Sequence, residues 1–121
     1  MKQEDKELLL KDLSARLPYG VKCQFENTIE TIKEIWFCED ESWQVDGEKT
    51  STCINAIKPY LFPMSSMTEE QKEEFDRLYT FDALIIEPQW ELIDWLNENH
   101  FDYRGLIEKG LAIDATGLNV Y

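Results

Sequence analysis

Apolar and polar residues alternate with different periods along the chain, and the first period is helical. Over residues 3–17, leucines recur at spacings of three and four, which predicts an amphipathic helix with a buried leucine face. The charged side chains of this segment, including Asp12 and Arg16, are expected to point away from that face. Pro18 and Gly20 follow, and they predict the end of the helix.

From Val21 the period changes to two, which predicts half-buried strands. Residues 29–38 are rich in β-branched and aromatic types, although helix competes for residues 30–35. The apolar run 35–38 predicts a strand end that is covered on both faces. A strand at 43–45, the hairpin signal Asp46-Gly47 and a strand within 50–57 follow. Residues 21–57 therefore predict a three- or four-stranded antiparallel meander, with no room for the crossovers of a parallel sheet.

The next segment joins this sheet to a helical C-terminal half. Residues 58–67 carry two prolines and two serines, which predicts a crossing loop. Thr68 and Gln71 form a capping box for a helix that runs to about Tyr79 and buries Phe75, Leu78 and Tyr79. Residues 81–86 fit either a short strand or packed coil.

The C-terminal stretch has the pattern of helix, turn and short helix. Pro88 suits the first turn of a helix. The inward face of this helix would include Trp90, Ile93 and Leu96 or Asn97, and Leu92 and Trp95 would widen it. Residues 100–103 would form a turn with apolar anchors, and residues 104–109 a short helix that ends at Gly110. We therefore expect one α+β domain over residues 1–121: an N-terminal helix, a three- to four-stranded antiparallel sheet, and two or three C-terminal helices packed on one face.

The charge balance is strongly acidic and uneven. The formal net charge is −13: residues 1–67 hold 12 acids and 8 bases, and residues 68–121 hold 13 acids and 4 bases. Such a polyanion repels phosphate backbones and anionic membrane surfaces, so we expect neither direct nucleic-acid binding nor membrane binding. A basic protein would be attracted. With no signal-peptide pattern and no long apolar run, a cytoplasmic protein is expected.

Carboxylates recur on the outer side of the last predicted helix. Glu87, Glu91, Asp94 and Glu98 are spaced by four, three and four residues, opposite the apolar face. Paired carboxylates can serve catalysis or bind metals, but a solvated acidic face explains this pattern better. Together with Asp102 and Arg104 in the following turn, these residues form a candidate interaction surface; no catalytic, metal-binding or cofactor-binding residues are predicted.

The cysteines and the histidine are the remaining candidates for chemistry. Cys23, Cys38 and Cys53 lie 15 residues apart without a C-x2-C pair, so a zinc site completed by His100 is disfavoured by spacing. No cysteine has a local signature of an activated thiol, and three cysteines suit a reducing compartment. His100 follows a helix end, where its imidazole is expected to cap the last carbonyls. No nucleotide-binding motif is present, and the segment 93–113 has too few basic residues to read DNA.

Three blocks of sequence carry a resemblance to a known group of proteins. They are KELLLKDLSARLPYGV at residues 6–21, PMSSMTEEQKEEF at 63–75 and WLNENHFDYRGLIEKGLAIDA at 95–115. They resemble a family of uncharacterised small proteins from gut bacteria and their phages or integrated elements, whose ends are similar and whose middle varies. The resemblance implies a cytoplasmic accessory protein of a phage or another mobile element, and it implies no site residues.

The favoured hypothesis is a non-enzymatic protein-interaction protein that uses its acidic C-terminal half. Two alternatives stay open. One is a mimic of nucleic acid that blocks a DNA-binding enzyme, since its carboxylates could be spaced like phosphates. The other is an enzyme of unrecognised type that uses Cys38 or His100.

Overall fold

The computed structural model describes residues 1–84 and 90–121, and these ranges form an α+β structure. Side chains in 81–84 and of Trp90 are outside the description, although their backbone is helical. The helices and strands are α1 Gln3–Arg16, β1 Lys22–Gln24, β2 Ile29–Thr31, β3 Glu34–Phe37, β4 Trp43–Asp46, β5 Ser51–Cys53, β6 Lys58–Pro63, α2 Glu69–Leu84, α3 Trp90–Glu98, β7 Phe101–Asp102 and β8 Ile113–Asp114.

Helix α1 confirms the leucine pattern at the N-terminus. Leu9 and Leu13 are fully buried, and the helix passes through a 3-10 turn to Gly20, whose φ of 69° favours glycine. The prediction that Asp12 and Arg16 point away from the core is wrong, because both side chains are fully buried. The two side chains form an ion pair with each other. Their further partners, the Phe101 carbonyl and Arg104, lie far along the chain, and the periodicity of one helix could not reveal them.

The larger sheet is mixed, and β6 lies at its centre. β1 pairs antiparallel with both β2 and β6, whereas the two-residue strands β7 and β8 pair parallel to β6. The prediction of a crossing loop over 58–67 is therefore wrong for Lys58–Pro63. Proline lacks the N–H that a strand ladder uses, which argued against a strand here. Contacts on both sides of β6 override this local signal: Cys23 pairs with Pro59, and Phe62 donates a backbone hydrogen bond to His100.

The smaller sheet has the antiparallel order β3-β4-β5. The predicted meander is thus divided between two sheets, and the strand expected over 29–38 is split into β2 and β3. The strand expected within 50–57 is also shorter, since residues 54–56 form a 3-10 turn. The hairpin signal is confirmed, although the connection spans residues 47–50 and is closed by a hydrogen bond from Gly47 N–H to the Thr50 carbonyl.

The apolar run 35–38 predicts a strand end that is covered on both faces, but strand β3 is not covered in this way. Trp36 is 38% exposed and Phe37 is 54% exposed. Adjacent residues of a strand point to opposite faces, so these two rings reach solvent on different sides of the small sheet. The apolar run 35–38 therefore does not indicate burial of both faces of this strand.

The helical half agrees in part with its predicted faces. The Thr68 capping box is confirmed, because Gln71 N–H donates to Thr68 Oγ1 at 3.2 Å and Thr68 N–H donates to Gln71 Oε1 at 2.9 Å. Leu78 is buried and Phe75 is half-buried, but Tyr79 is 54% exposed, contrary to prediction. Helix α2 continues to Leu84, so residues 81–84 are helical, while 85–86 and the predicted first turn at Pro88 lie outside the described residues.

The predicted inward face of helix α3 is confirmed in part. Leu92, Leu96 and Asn97 are buried, whereas Ile93, which was predicted to face inward, is 36% exposed. The expected position of Trp90 cannot be compared, because its side chain lies outside the described set. The short helix predicted over 104–109 is replaced by a turn that ends at Gly110, whose φ is 74°. In that turn, Leu111 N–H donates to the Leu106 carbonyl at 2.9 Å.

Two apolar clusters support these elements. The first includes Leu9 and Leu13 of α1, with Phe25, Val45 and Leu106 packed around them. The second joins the two later helices to β7 through Leu78, Leu92, Leu96 and Phe101. Within the described ranges, no helix is both long and apolar enough to cross a membrane.

Candidate interaction surfaces

The predicted acidic face of α3 is exposed where the structure describes it. Glu91, Asp94 and Glu98 are exposed, on a helix whose Leu92 and Leu96 are buried. Glu87, the first member of the predicted set, lies outside the described residues. The amphipathic pattern thus separates an apolar face that packs from a carboxylate face that is solvated.

Helix α2 packs against α3 and contributes further exposed carboxylates, namely Glu69, Glu70, Glu73 and Asp76. Arg77 of α2 lies at the boundary between the two sets. The hydrogen bond from Arg77 to Glu74 raises the pKa of Arg77 most, and the carboxylate of Glu91 on α3 raises it further. Glu91 is therefore close enough to act on a side chain of α2. We call the exposed carboxylates of α2 and α3 the acidic surface.

Asp102, by contrast, is 8% exposed and has a structural partner on each oxygen. Its Oδ1 accepts the N–H of Leu106 and its Oδ2 accepts the N–H of Ile107, both at 2.9 Å. A carboxylate in this position satisfies the free N–H groups of the turn that replaces the predicted helix. Asp102 therefore holds the C-terminal turn and has little area left for a partner.

Arg104 is also held within the protein. Its side chain is 17% exposed, and its Nη1 donates to Asp12 Oδ1 at 2.9 Å. The guanidinium lies 4.5 Å from the centre of the Tyr103 ring, within cation–π range. Of the six predicted surface residues, the structure thus leaves Glu91, Asp94 and Glu98 in solvent and places Asp102 and Arg104 among buried contacts.

The partner of Arg104 belongs to a buried ion pair inside α1. Arg16 Nε donates to Asp12 Oδ2 at 2.9 Å, and both side chains are fully buried. Arg16 Nη2 donates to the carbonyl of Phe101 at 2.6 Å, which ties α1 to β7. In the described part of the chain, Arg16 Nη1 has no hydrogen-bond partner. The arrangement of Asp12 between two guanidiniums links residues that are distant in sequence.

His100 lies at the end of α3 with a φ of 62°, and its imidazole does not cap the helix as predicted. The cap comes from Asn99, whose Nδ2 donates to the Trp95 carbonyl, and from the backbone N–H of His100, which donates to the Asn97 carbonyl. The imidazole instead stacks on the Tyr121 ring, with centroids 3.7 Å apart and planes 10° apart.

The environment of the imidazole keeps it neutral at ordinary pH. Burial, together with the positive charges of Arg16 and Lys22, lowers the pKa of His100 to about 4. No described residue accepts or donates a hydrogen bond at its Nδ1. A catalytic imidazole needs an orienting group, so this geometry gives no support to His100 as a general base.

The cysteines do not assemble a site within the described residues. No group of three or more His, Cys, Asp or Glu side chains there could hold a metal ion. Cys23 is buried in β1, and burial raises the pKa of its thiol well above the ordinary value. Cys38 and Cys53 are half-buried on the small sheet, with no disulfide between them. The thiol of Cys23 is protonated and is a packing group.

A cavity of about 380 Å³ opens beside His100. Phe62 and Phe101 form its apolar part, and Gln71, Asn99 and Thr116 supply polar groups. Gln71 and Asn99 already serve as helix caps, so their donors and acceptors are partly used. The cavity lies where α3, β6 and the C-terminal residues meet, and its lining does not form a cluster of reactive groups.

Comparison with known proteins assigns no family and no function to this chain. The chain matches no family model, no curated protein and no solved structure.

The sequence patterns did not indicate the exposed rings of the small sheet. Phe37 and Trp43 stand opposite each other on β3 and β4, with ring centroids 5.0 Å apart. Phe37 belongs to the run that was predicted to be covered, yet it is 54% exposed, and Trp43 is 37% exposed. Their strand patterns resemble those of core residues, so the sequence gives no signal of their exposure.

Proposed function

We propose that this chain is a non-enzymatic interaction protein that binds a basic protein through the acidic surface of α2 and α3. The observation that carries the proposal is that α2 packs against α3. The exposed carboxylates of the two helices, which recur about once per turn along each helix, therefore contribute to one acidic surface. A cytoplasmic accessory role, as the resemblance in the terminal blocks implies, belongs to the same proposal.

The negative charge of this surface explains how it would select a basic partner. Residues 68–121 carry 13 acids and 4 bases. Of those bases, Arg77 is paired with Glu74, and Arg104 is paired with the buried Asp12. The field that remains attracts cationic proteins from a distance and repels nucleic acids and other acidic proteins. Electrostatic complementarity of this kind acts mainly on the association rate and on partner choice.

Affinity capture from the native host tests the proposal. We expect the tagged protein to retain a basic partner at low salt and to lose it at high salt. The variant with Glu91→Gln, Asp94→Asn and Glu98→Gln should lose the partner at low salt as well. A matched control changes three other exposed carboxylates, with Glu26→Gln, Glu34→Gln and Glu108→Gln, and should retain it.

The two variants have equal net charge. Their comparison therefore distinguishes binding at the acidic surface from attraction by the net charge of the whole protein. Equal retention by both variants would contradict the proposal. If the retained partner is a DNA-binding enzyme and duplex DNA displaces it, the acidic surface acts as a mimic of nucleic acid.

A further inference from the structure

A groove of about 460 Å³ runs between α1 and the small sheet, on the aromatic side of β3 and β4. Its walls include Leu10 of α1, Ile54 after β5, and the exposed rings of Phe37 and Trp43. None of these residues belongs to the acidic surface. The groove is therefore a separate feature of the molecule.

The alternation of β3 explains why the groove is apolar and open. Ile35 pairs with Val45 on the same face as the pair Phe37 and Trp43. Val45 is fully buried in the core cluster, whereas the next pair along the strands extends past the packed region. The centroids of the Phe37 and Trp43 rings lie 5.0 Å apart and their planes are inclined by 54°. The two exposed rings are therefore in contact and stabilise each other's position.

Carboxylates stand on two sides of these rings. Glu41 lines the groove from the turn between β3 and β4, and Glu7 lines it from α1. Glu41 belongs to the exposed run Glu39–Asp40–Glu41, so the rim beside Trp43 is strongly acidic. Lys6 is the cation among the residues that line the groove, and two carboxylates there exceed its charge.

Aromatic faces and carboxylates together favour one kind of occupant. The face of an aromatic ring carries negative electrostatic potential and attracts cations, and a carboxylate pairs with the same cation. Arginine fits both partners better than lysine does, because its planar guanidinium stacks on rings and donates a fork of hydrogen bonds. Its aliphatic stem would contact Leu10 and Ile54, which leave an apolar wall in the groove.

We propose that this groove binds an arginine side chain presented by a segment of a partner protein, with the guanidinium over Phe37 and Trp43 and paired with Glu41. Charge complementarity supports this occupant over an acidic or purely apolar segment, which would leave the charge of Glu41 uncompensated. The inference goes beyond the proposed function, since it concerns another surface and a defined side chain.

A titration followed by two-dimensional NMR of the ¹⁵N-labelled protein tests this inference, with an acetylated and amidated Gly-Arg-Gly peptide as the probe. The indole N–H of Trp43 should shift in a saturable manner. The indole N–H of Trp36 points to the opposite face, where it donates to Asp46 at 3.0 Å, and should stay in place. The corresponding lysine peptide should bind more weakly, and a Gly-Glu-Gly peptide should produce no saturable shift.

Variants of the protein then locate the contact. Phe37→Ala is expected to raise the dissociation constant of the arginine peptide about fivefold, as expected for loss of a partly exposed cation–π contact. Glu41→Gln should raise it about threefold, as expected for loss of an exposed ion pair. The controls Trp36→Ala and Glu26→Gln should leave it unchanged, and dispersed NMR spectra establish that each variant is folded.

The result that overturns the inference is an arginine peptide that shifts Trp36 and Trp43 alike, or that binds Glu41→Gln as tightly as the unmodified protein. Either outcome would mean attraction by net charge alone. If Phe37→Ala does not fold, Glu41→Gln and the Trp43 resonance still decide the question. Loss of the groove site would leave the acidic surface untouched, so the two proposals fail independently.

Discussion

At the scale of single residues, Asp12 has the most consequential surroundings. It is fully buried in α1 and receives hydrogen bonds from Arg16 and Arg104, one to each oxygen. Arg16 in turn reaches the carbonyl of Phe101, which is 85 positions away. A buried ion pair of this kind adds little net stability as a whole, but removing one partner leaves an uncompensated charge.

Asp12→Asn is therefore expected to lower the free energy of unfolding by about 3 kcal/mol, since it leaves a guanidinium buried without its counter-ion. Urea denaturation followed by circular dichroism measures this change. The control Glu69→Gln breaks an exposed pair with Lys72 and should cost less than about 0.5 kcal/mol. An equal small effect for both variants would mean that Asp12 is not a buried charge.

His100 gives a second test at this scale, because it is the only histidine of the chain. Burial lowers its pKa from 6.5 to about 4, so the unfolded chain takes up this proton first as pH falls. The contribution to stability is fully present above about pH 6.5 and is lost progressively as pH falls toward 4.

The carbon-bound imidazole protons of His100 report its titration directly by NMR. The expected midpoint is about 4, and a midpoint near 6.5 would show that the ring is solvated. His100→Asn keeps a residue type that tolerates the positive φ and should flatten the change of stability between pH 4 and 6.5. Glu30, whose pKa is lowered to about 2 by its hydrogen bonds, contributes its own loss at lower pH in both proteins.

At the scale of elements, the patterns predicted α1, the α2 cap and the hairpin well, because each depends on residues close in sequence. β6 was missed, because its prolines argue against a strand and only its neighbours β1, β7 and β8 make it one. The sequence pattern of residues 104–109 predicts a helix where the structure has a turn, and here too contacts outside the pattern decide the outcome. The side chain of Asp102 satisfies N–H groups that a helix would have used, and sequence spacing does not distinguish these outcomes.

The hairpin between β4 and β5 provides a prediction at this scale. A Cβ at Gly47 would lie 2.6 Å from Glu30 Oε1 and 3.0 Å from the Phe25 ring. Glu30 cannot retreat freely, because the same oxygen accepts the N–H groups of Lys49 and Thr50. Gly47→Ala should therefore lower the free energy of unfolding by about 2 kcal/mol, as expected for a clash against packed groups.

Gly117→Ala is the matched control for this change. Its added Cβ would meet nothing within 4 Å, and only its φ of 76° opposes a side chain. A cost of about 1 kcal/mol is expected there from backbone strain alone. Chemical denaturation of both variants separates the two causes, and a smaller cost at Gly47 than at Gly117 would argue against the close contact.

At the scale of the whole molecule, some carboxylates are buried and stabilise the fold, whereas others are exposed to solvent. Asp12, Asp102 and Glu30 are buried and serve the fold. The carboxylates of α2 and α3 remain in solvent and form the acidic surface. Helical spacing predicted the α3 part of this surface, but not that Asp102 and Arg104 would be withdrawn from it, since their partners lie on α1 and in the following turn.

The central claim is that a basic partner binds to the acidic surface, and the salt dependence of its dissociation constant tests this claim most directly. For the unmodified protein we expect a rise of about tenfold between about 50 and about 500 mM salt, because screening weakens the attraction. The variant Glu91→Gln, Asp94→Asn and Glu98→Gln should start weaker and depend much less on salt. The same slope for this variant and for the matched control with three changes elsewhere would contradict the account.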